Sequence, residues 1–253
     1  MKKILVLLLL SVFVDKVCTQ TQVIAHRGFW KTEGATQNCI AAMQKADSAK
    51  CYGSELDVWL SKDNVLFVNH DPFYKGVSME NDKSSAIKKL KLANGEKLPT
   101  LKEYLSEARK LNVRLIIELK KHSSAKRETR AVEEIIGLIK KYNLEERVEY
   151  ISFSLHATKE FIRLASPSTP VYYLNGNLSP KELKEIGCTG PDYNLSVLKK
   201  NPGWIKESHE LGMKVNVWTV NKEADMRWAI DQGIDFITTD EPLLLHRILK
   251  GGN

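Results

Sequence analysis

The chain alternates short apolar runs with longer stretches in which apolar positions recur every three or four residues. The apolar runs predict strands over 22–26, 54–60, 65–70, 114–120, 149–154, 171–174, 192–195, 214–220 and 235–239. The stretches between them have helical periodicity, as in "NCIAAMQKADSAK", "LKEYLSEARKL" and "ETRAVEEIIGLIKKYN". "SPKELKEIG" adds a serine N-cap and a closing glycine. Strands alternating with helices predict a parallel sheet covered by helices.

Nine strands are one too many for an eightfold barrel. The link "SKDN", residues 61–64, is too short to cross over the sheet and return parallel. Strand 65–70 must therefore run back antiparallel as a hairpin. Eight strands remain, each with room for a helix, and they predict a (β/α)₈ TIM barrel, an α/β fold. The barrel carries a hairpin after its second strand and an irregular insertion over 71–100.

The first nineteen residues stand apart. Lys2 and Lys3 precede an apolar run over 4–14, which falls short of the ~20 residues that span a bilayer. That layout predicts a secretory signal over 1–19, with Val17 and Thr19 at the −3 and −1 positions of its cleavage site. A lipid anchor on Cys18 is the less favoured reading, because Lys16 and Val17 stand where small residues are usual. The mature domain, 20–253, is then expected to be exported to the periplasm or beyond, with no transmembrane segment. Loss of Lys2, Lys3, Lys16 and Asp15 lowers the formal charge from +7 to +5. With no block of like charge, nucleic acid is not an expected partner. A small anionic substrate suits the mild positive charge. Cys39, Cys51 and Cys188 match no metal spacing and are expected to be small buried residues.

Strand alternation sorts the remaining polar residues. In 54–60, Leu56, Val58 and Leu60 share the helix side, whereas Glu55, Asp57 and Trp59 share the barrel side. In 114–120, Leu115, Ile117 and Leu119 face out, while Ile116, Glu118 and Lys120 face in. Asn216 and Trp218 share a face, and the last strand ends at Thr238 and Asp240. Barrel chemistry sits at the C-terminal strand ends. His26, Arg27, Glu55, Asp57, His70, Glu118, Lys120 and Trp218 should therefore converge. Three carboxylates cannot share a dry site unless they take up protons or bind a cation, and a hard divalent cation, Ca²⁺ or Mg²⁺, suits their oxygens. Two imidazoles, a guanidinium and an ammonium suit an oxyanion that also needs proton transfer, as a phosphate ester does. Gly28 is expected to turn the chain without a side chain blocking the cleft.

"AHRG", "ELDVWLSKDNVLFVNHD", "LPTLKEYL", "IIELK", "VNVWTVN" and "ITTDEP" together resemble the glycerophosphodiester phosphodiesterases, whose pattern is HR, then E-x-D, then HD. The resemblance runs from Val23 to Pro242. It implies a (β/α)₈ barrel, a divalent metal, and hydrolysis of small glycerophosphodiesters to glycerol 3-phosphate and an alcohol. It also implies that Glu55, Asp57 and Glu118 bind metal and that His26 and His70 are the acid–base pair. Arg27 and Lys120 would hold phosphate, and Trp218 would contact glycerol. Where the family usually has "PENT", this chain has "TQNC", so Gln37 replaces a glutamate and altered hydrogen bonding is expected around the site. The arginine and threonines common after "HD" are replaced by "PFYKGVSM", which leaves the alcohol group open. A lyase acting on inositol or sphingoid phosphodiesters, a glycoside hydrolase and a catalytically inactive secreted binding protein are the rival readings.

Overall fold

The structure, a computed structural model, describes residues 20–252. The expected signal at 1–19 lies outside the described residues. In chain order the strands are β1 (Gln22–Ala25), β2 (Gly53–Leu60), β3 (Leu66–Val68), β4 (Phe73–Tyr74), β5 (Val77–Ser78) and β6 (Arg114–Leu119), followed by β7 (Val148–Ser152), β8 (Val171–Tyr173), β9 (Gly190–Asn194), β10 (Asn216–Trp218) and β11 (Phe236–Thr239). The helices are α1 (Ile40–Ser48), α2 (Ser84–Ile87), α3 (Leu101–Ala108), α4 (Ala125–Tyr142) and α5 (Leu155–Leu164), then α6 (Pro180–Glu185), α7 (Leu195–Lys200), α8 (Gly203–Glu210), α9 (Glu223–Asp231) and α10 (Pro242–Leu249).

Eight parallel strands, β1, β2 and β6 to β11, close into a barrel through the β1–β11 and β1–β2 pairings. The expected (β/α)₈ fold is the observed one. Closure is lopsided at one seam. β1 meets β2 only at Ile24↔Gly53 and Ala25↔Ser54, so the upper edge of β2 is left to another partner. β3 takes it, antiparallel, with Val58↔Val68 and Leu60↔Leu66. The hairpin demanded by the short "SKDN" link thus brings the segment after β3 to the barrel mouth.

Helix faces follow their apolar spacing. α4 buries Ala131, Val132, Ile135, Ile136 and Ile139, begins at a Ser124 cap and ends at Asn143 in the left-handed conformation, φ 54°. α3 starts with a reciprocal Thr100–Glu103 capping box. The helix-side core includes Leu56, Val58, Leu60, Leu115, Ile117 and Leu119, the outward set of the alternation. The barrel interior holds Ile24, Ile116, Ile151, Tyr172, Leu174 and Phe236. The insertion over 71–100 contains the β4–β5 ribbon and α2. It has its own small core of Met79, Ile87, Leu92 and Leu98, packed on Trp59 and Phe67. Trp59 keeps the inward parity of Glu55 and Asp57, but at its height the neighbour is the insertion rather than the barrel.

Several strands are shorter than their apolar runs, and β9 starts earlier than residue 192. Its first residue, Gly190, lies so close to the segment leading into β10 that an added Cβ would sit 1.8 Å from the Lys214 carbonyl oxygen. Cys39, Cys51 and Cys188 are free and buried. The Cys39 thiol caps α1, accepting the Ala42 amide at 3.2 Å. Among the described residues no helix is long and apolar enough to cross a membrane.

Candidate active site

A cavity of about 120 Å³ opens at the C-terminal strand ends, lined by His26, Arg27, Glu55, His70, Glu118 and Trp218 together with Ile151, Phe153, Leu174, Asp192, Thr219 and Thr238. Six of the eight converging residues line it directly. The other two, Asp57 and Lys120, join through contacts. Lys120 Nζ lies 2.6 Å from Glu118 Oε1 and 3.2 Å from Asp57 Oδ1.

The carboxylates stand together because β2 and β6 run in register. Asp57 pairs with Glu118 across the ladder, and Glu55 shares their face two residues earlier on β2. One oxygen from each of Glu55, Asp57 and Glu118 lies within 4.8 Å of the others, and all three residues are buried. Burial and the adjacent Asp57 charge push the Glu118 carboxyl up to about 7. Burial, Asp57 and Glu118 raise Glu55 well above the ordinary carboxylate range. Burial opposes the charge on Asp57 as well, but Lys120, His70 and Arg27 outweigh it and hold that carboxyl below its ordinary value. Lys120 is likewise opposed by burial, yet Asp57 and Glu118 keep its amine above the usual range. Glu55 Oε1 is buried without a hydrogen-bond partner. Hard oxygen donors, an unpartnered carboxylate oxygen and repulsion that favours protonation fit a divalent cation.

Arg27 is held from several sides. Its backbone adopts φ 55°, a strained value for a residue with a side chain, and its amide donates to Glu55 Oε2 at 2.7 Å. Its Nη1 donates to Gln37 Oε1 at 2.7 Å, and its Nε lies 3.6 Å from Asp57 Oδ2. Gln37 thus receives the guanidinium through a neutral oxygen, the altered hydrogen bonding expected of "TQNC". The adjacent Asn38 clasps Asp57, donating Nδ2 to Oδ2 at 2.8 Å and accepting the Asp57 amide at 3.1 Å. Gly28 does not serve to keep the cleft open. At φ +79° its added Cβ would stand 2.7 Å from Ala42 Cβ and 2.8 Å from the Ala42 carbonyl carbon, so glycine is needed for the approach of α1.

Each histidine has a carboxylate behind it. Asp240 Oδ1 lies 2.8 Å from His26 Nδ1, and the same oxygen accepts the Trp30 indole N–H at 3.1 Å. Asn221 Nδ2 donates to the other oxygen, Oδ2, at 2.7 Å. Burial works against the Asp240 charge, but His26, Asn221 and Trp30 bring the carboxyl down to about 2. Asp71 Oδ1 lies 2.7 Å from His70 Nδ1. Burial lowers the His70 imidazole below its ordinary value. A carboxylate on Nδ1 fixes the proton there and leaves Nε2 free to exchange one. Trp59 donates its indole N–H to the His70 carbonyl at 3.2 Å and packs against the His122 ring at a tilt of 53°. His122 bridges strand ends: its Nε2 accepts the Leu60 amide at 2.9 Å, and its Nδ1 lies 2.7 Å from the Lys120 carbonyl.

Trp218 lines the cavity but does not offer its N–H there. The indole donates to the Asp192 carbonyl at 2.9 Å. That N–H is therefore spent within the protein, and Trp218 presents ring surface, with Phe153 edge-on at 5.5 Å. Asp192 itself went unread in the sequence. Alternation about Tyr193, which packs on the helix side, turns Asp192 inward, but only the closed barrel sets it beside Asn216 and on the cavity lining.

A family model described as the glycerophosphoryl diester phosphodiesterase family matches residues 26–244. A glycerophosphodiester phosphodiesterase from Caldanaerobacter subterraneus subsp. tengcongensis is 31% identical over 249 residues, spanning 92% of this chain and all of that protein. The crystal structure of a glycerophosphodiester phosphodiesterase from Parabacteroides distasonis superposes with a TM-score of 0.91 at 49% identity, covering 92% of this chain and 98% of that one. A phosphodiesterase from Oleispira antarctica, solved with the product sn-glycerol-3-phosphate, shares the fold at a TM-score of 0.80 and 21% identity, covering 91% and 97%. With the match spanning nearly the whole described barrel and its site, the chain belongs to the glycerophosphoryl diester phosphodiesterase family.

Proposed function

We propose that this chain hydrolyses small glycerophosphodiesters to glycerol 3-phosphate and an alcohol, with Ca²⁺ or Mg²⁺ held by Glu55, Asp57 and Glu118. Family membership carries the reaction class. The observation that carries the chemistry is the buried set of three carboxylates whose oxygens come within 4.8 Å of one another beside two histidines and two cations. When bound, the divalent ion supplies positive charge for the phosphate oxygens.

The protein's own groups divide the remaining work. Arg27 faces the phosphate with a guanidinium whose position is fixed by Gln37 and Asp57. Lys120 adds an ammonium that exchanges part of its pairing with Glu118 and Asp57 for phosphate oxygen. His26 and His70, each with its proton fixed on Nδ1, use Nε2 to take the proton of the attacking oxygen, that of water or of the substrate's own hydroxyl, and to return one to the departing alcohol oxygen; by either route one water is consumed to give glycerol 3-phosphate. Trp218 lies against the carbon chain of the glycerol. The rival sugar-cleaving chemistry would leave Arg27 and Lys120 without an anion to hold. The two lysines and short apolar run within 1–19 support reading that segment as a leader and the domain as exported to the periplasm or beyond.

The test is incubation of the mature protein with glycerophosphocholine, with and without Ca²⁺ or Mg²⁺, and identification of products. Release of glycerol 3-phosphate and choline that stops on exhaustive chelation supports the reading. Full activity after chelation, or a cyclic phosphate as the end product, overturns it.

A further inference from the structure

With cation, phosphate and proton carriers assigned, one wall of the cavity has no part in the chemistry. It is formed by Ile151, Phe153, Leu174, Trp218 and Asp192. A glycerol phosphate brings two free hydroxyls to the site. Hydroxyls buried without partners weaken binding, so something on that side must receive them. The apolar side chains cannot, and the Trp218 N–H is already donated to the Asp192 backbone.

Thr238, also on the lining, is already paired with Asn216, and among the polar groups that remain Asp192 stands out. Its residue is 1% exposed, and its Oδ1 is buried with no hydrogen-bond partner. Among the described residues it forms no ion pair with Lys, Arg or His, and it is not one of the carboxylates close enough to share an ion. Such an oxygen in a folded protein needs an explanation, and a ligand is one. Burial pushes the Asp192 carboxyl up to about 8, which favours its neutral form. A neutral carboxyl is both donor and acceptor, as a hydroxyl is, and it does not repel a phosphate. Through the bond from Trp218 to its carbonyl, Asp192 also fixes the ring that faces the carbon chain.

We propose that Asp192 recognises the polyol half of the substrate, its side-chain carboxyl hydrogen-bonding a free glycerol hydroxyl beside the face of Trp218. The assignment rests on the glycerophosphodiester reading above and makes Asp192 a specificity-determining residue rather than a proton carrier.

The test compares wild type with Asp192→Leu and Asp192→Asn in metal-loaded protein. Calorimetry measures binding of sn-glycerol 3-phosphate and of inorganic phosphate. Kinetics compare glycerophosphocholine with bis(4-nitrophenyl) phosphate, which has no free hydroxyl. For Asp192→Leu, the preference for glycerol 3-phosphate over inorganic phosphate should fall about tenfold to a hundredfold, the usual worth of one buried hydrogen bond. The kcat/KM ratio of the two substrates should fall by the same factor, mainly through KM. Asp192→Asn keeps a donor and an acceptor and should lose less than about a third of that effect on a logarithmic scale. If Asp192→Leu does not fold, Asp192→Ser carries the same measurements. Equal losses on all ligands would show a merely structural role, and an unchanged preference would show no role; either overturns the assignment. A wild type that cleaves bis(4-nitrophenyl) phosphate but neither binds glycerol 3-phosphate nor cleaves glycerophosphocholine overturns the glycerophosphodiester reading itself.

Discussion

Glu118→Gln should have opposite effects on the metal-free and the metal-loaded protein. Without a cation, Glu118 is a buried carboxyl beside Asp57, held at about 7 against an ordinary 4.5. Its proton is bound more tightly in the folded state than in the unfolded one. That contribution to stability is fully present below pH 4.5 and is lost as the pH rises through about 7. At ~1.4 kcal/mol per pH unit, the cost of ionising Glu118 at pH 8 is about 3 kcal/mol. A glutamine of the same shape carries no such cost. It gives up the 2.6 Å ion pair with Lys120, but Lys120 keeps Asp57 at 3.2 Å. The net gain in metal-free protein at pH 8 should then be about 2–3 kcal/mol, or about 4–12 °C in Tm for a domain of this size. At pH 4.5 the gain should vanish. With Ca²⁺ or Mg²⁺ the order reverses: wild type gains stability from the bound ion, and the variant, lacking one anionic ligand, gains far less and loses turnover. The assay is thermal unfolding at pH 4.5 and 8, in chelator and in saturating metal. If the variant in chelator is less stable than wild type at pH 8, the carboxylates are not in electrostatic conflict, and the argument that they are built for a cation fails.

His122→Leu should cost about 2–4 kcal/mol in urea unfolding, because it leaves the Leu60 amide and the Lys120 carbonyl unpaired at the site's edge; a loss below about 0.5 kcal/mol would show that water replaces the ring. Asp240→Asn should lower kcat by about 10²–10⁴-fold by removing the carboxylate that fixes the His26 tautomer, with KM little changed. Asp240, lowered to about 2, contributes stability above the ordinary Asp range that is lost as pH falls through about 2, so the variant should melt like wild type at pH 2 but below it at pH 7. Gly28→Ala should destabilise by more than ~1 kcal/mol, since it adds a Cβ at φ +79° and 2.7 Å from Ala42; unchanged stability would mean that α1 moves away freely.

The sequence by itself determined the barrel, the hairpin and the inward carboxylates. Each follows from a short-range rule. The period of two along 54–60 and 114–120 sorted Glu55, Asp57 and Glu118 from Leu56, Val58, Ile117 and Leu119. Four residues between two strands permit only an antiparallel return, and β3 is antiparallel. Tertiary structure decided what those rules do not reach. Alternation turns Asp192 away from Tyr193 but does not say what an inward carboxyl meets, so its place on the cavity beside Trp218 exists only in the closed barrel. It does not say which partner a polar atom finds, so the Trp218 N–H, free in a sequence, is bound to a carbonyl 26 residues away. Nor does it identify the neighbour of Gly28, which is α1 rather than the cleft. Side-chain direction is a property of the local backbone and repeats along it. Hydrogen-bond partners and close approaches depend on distances between segments far apart in the chain, and those exist only once the barrel has closed.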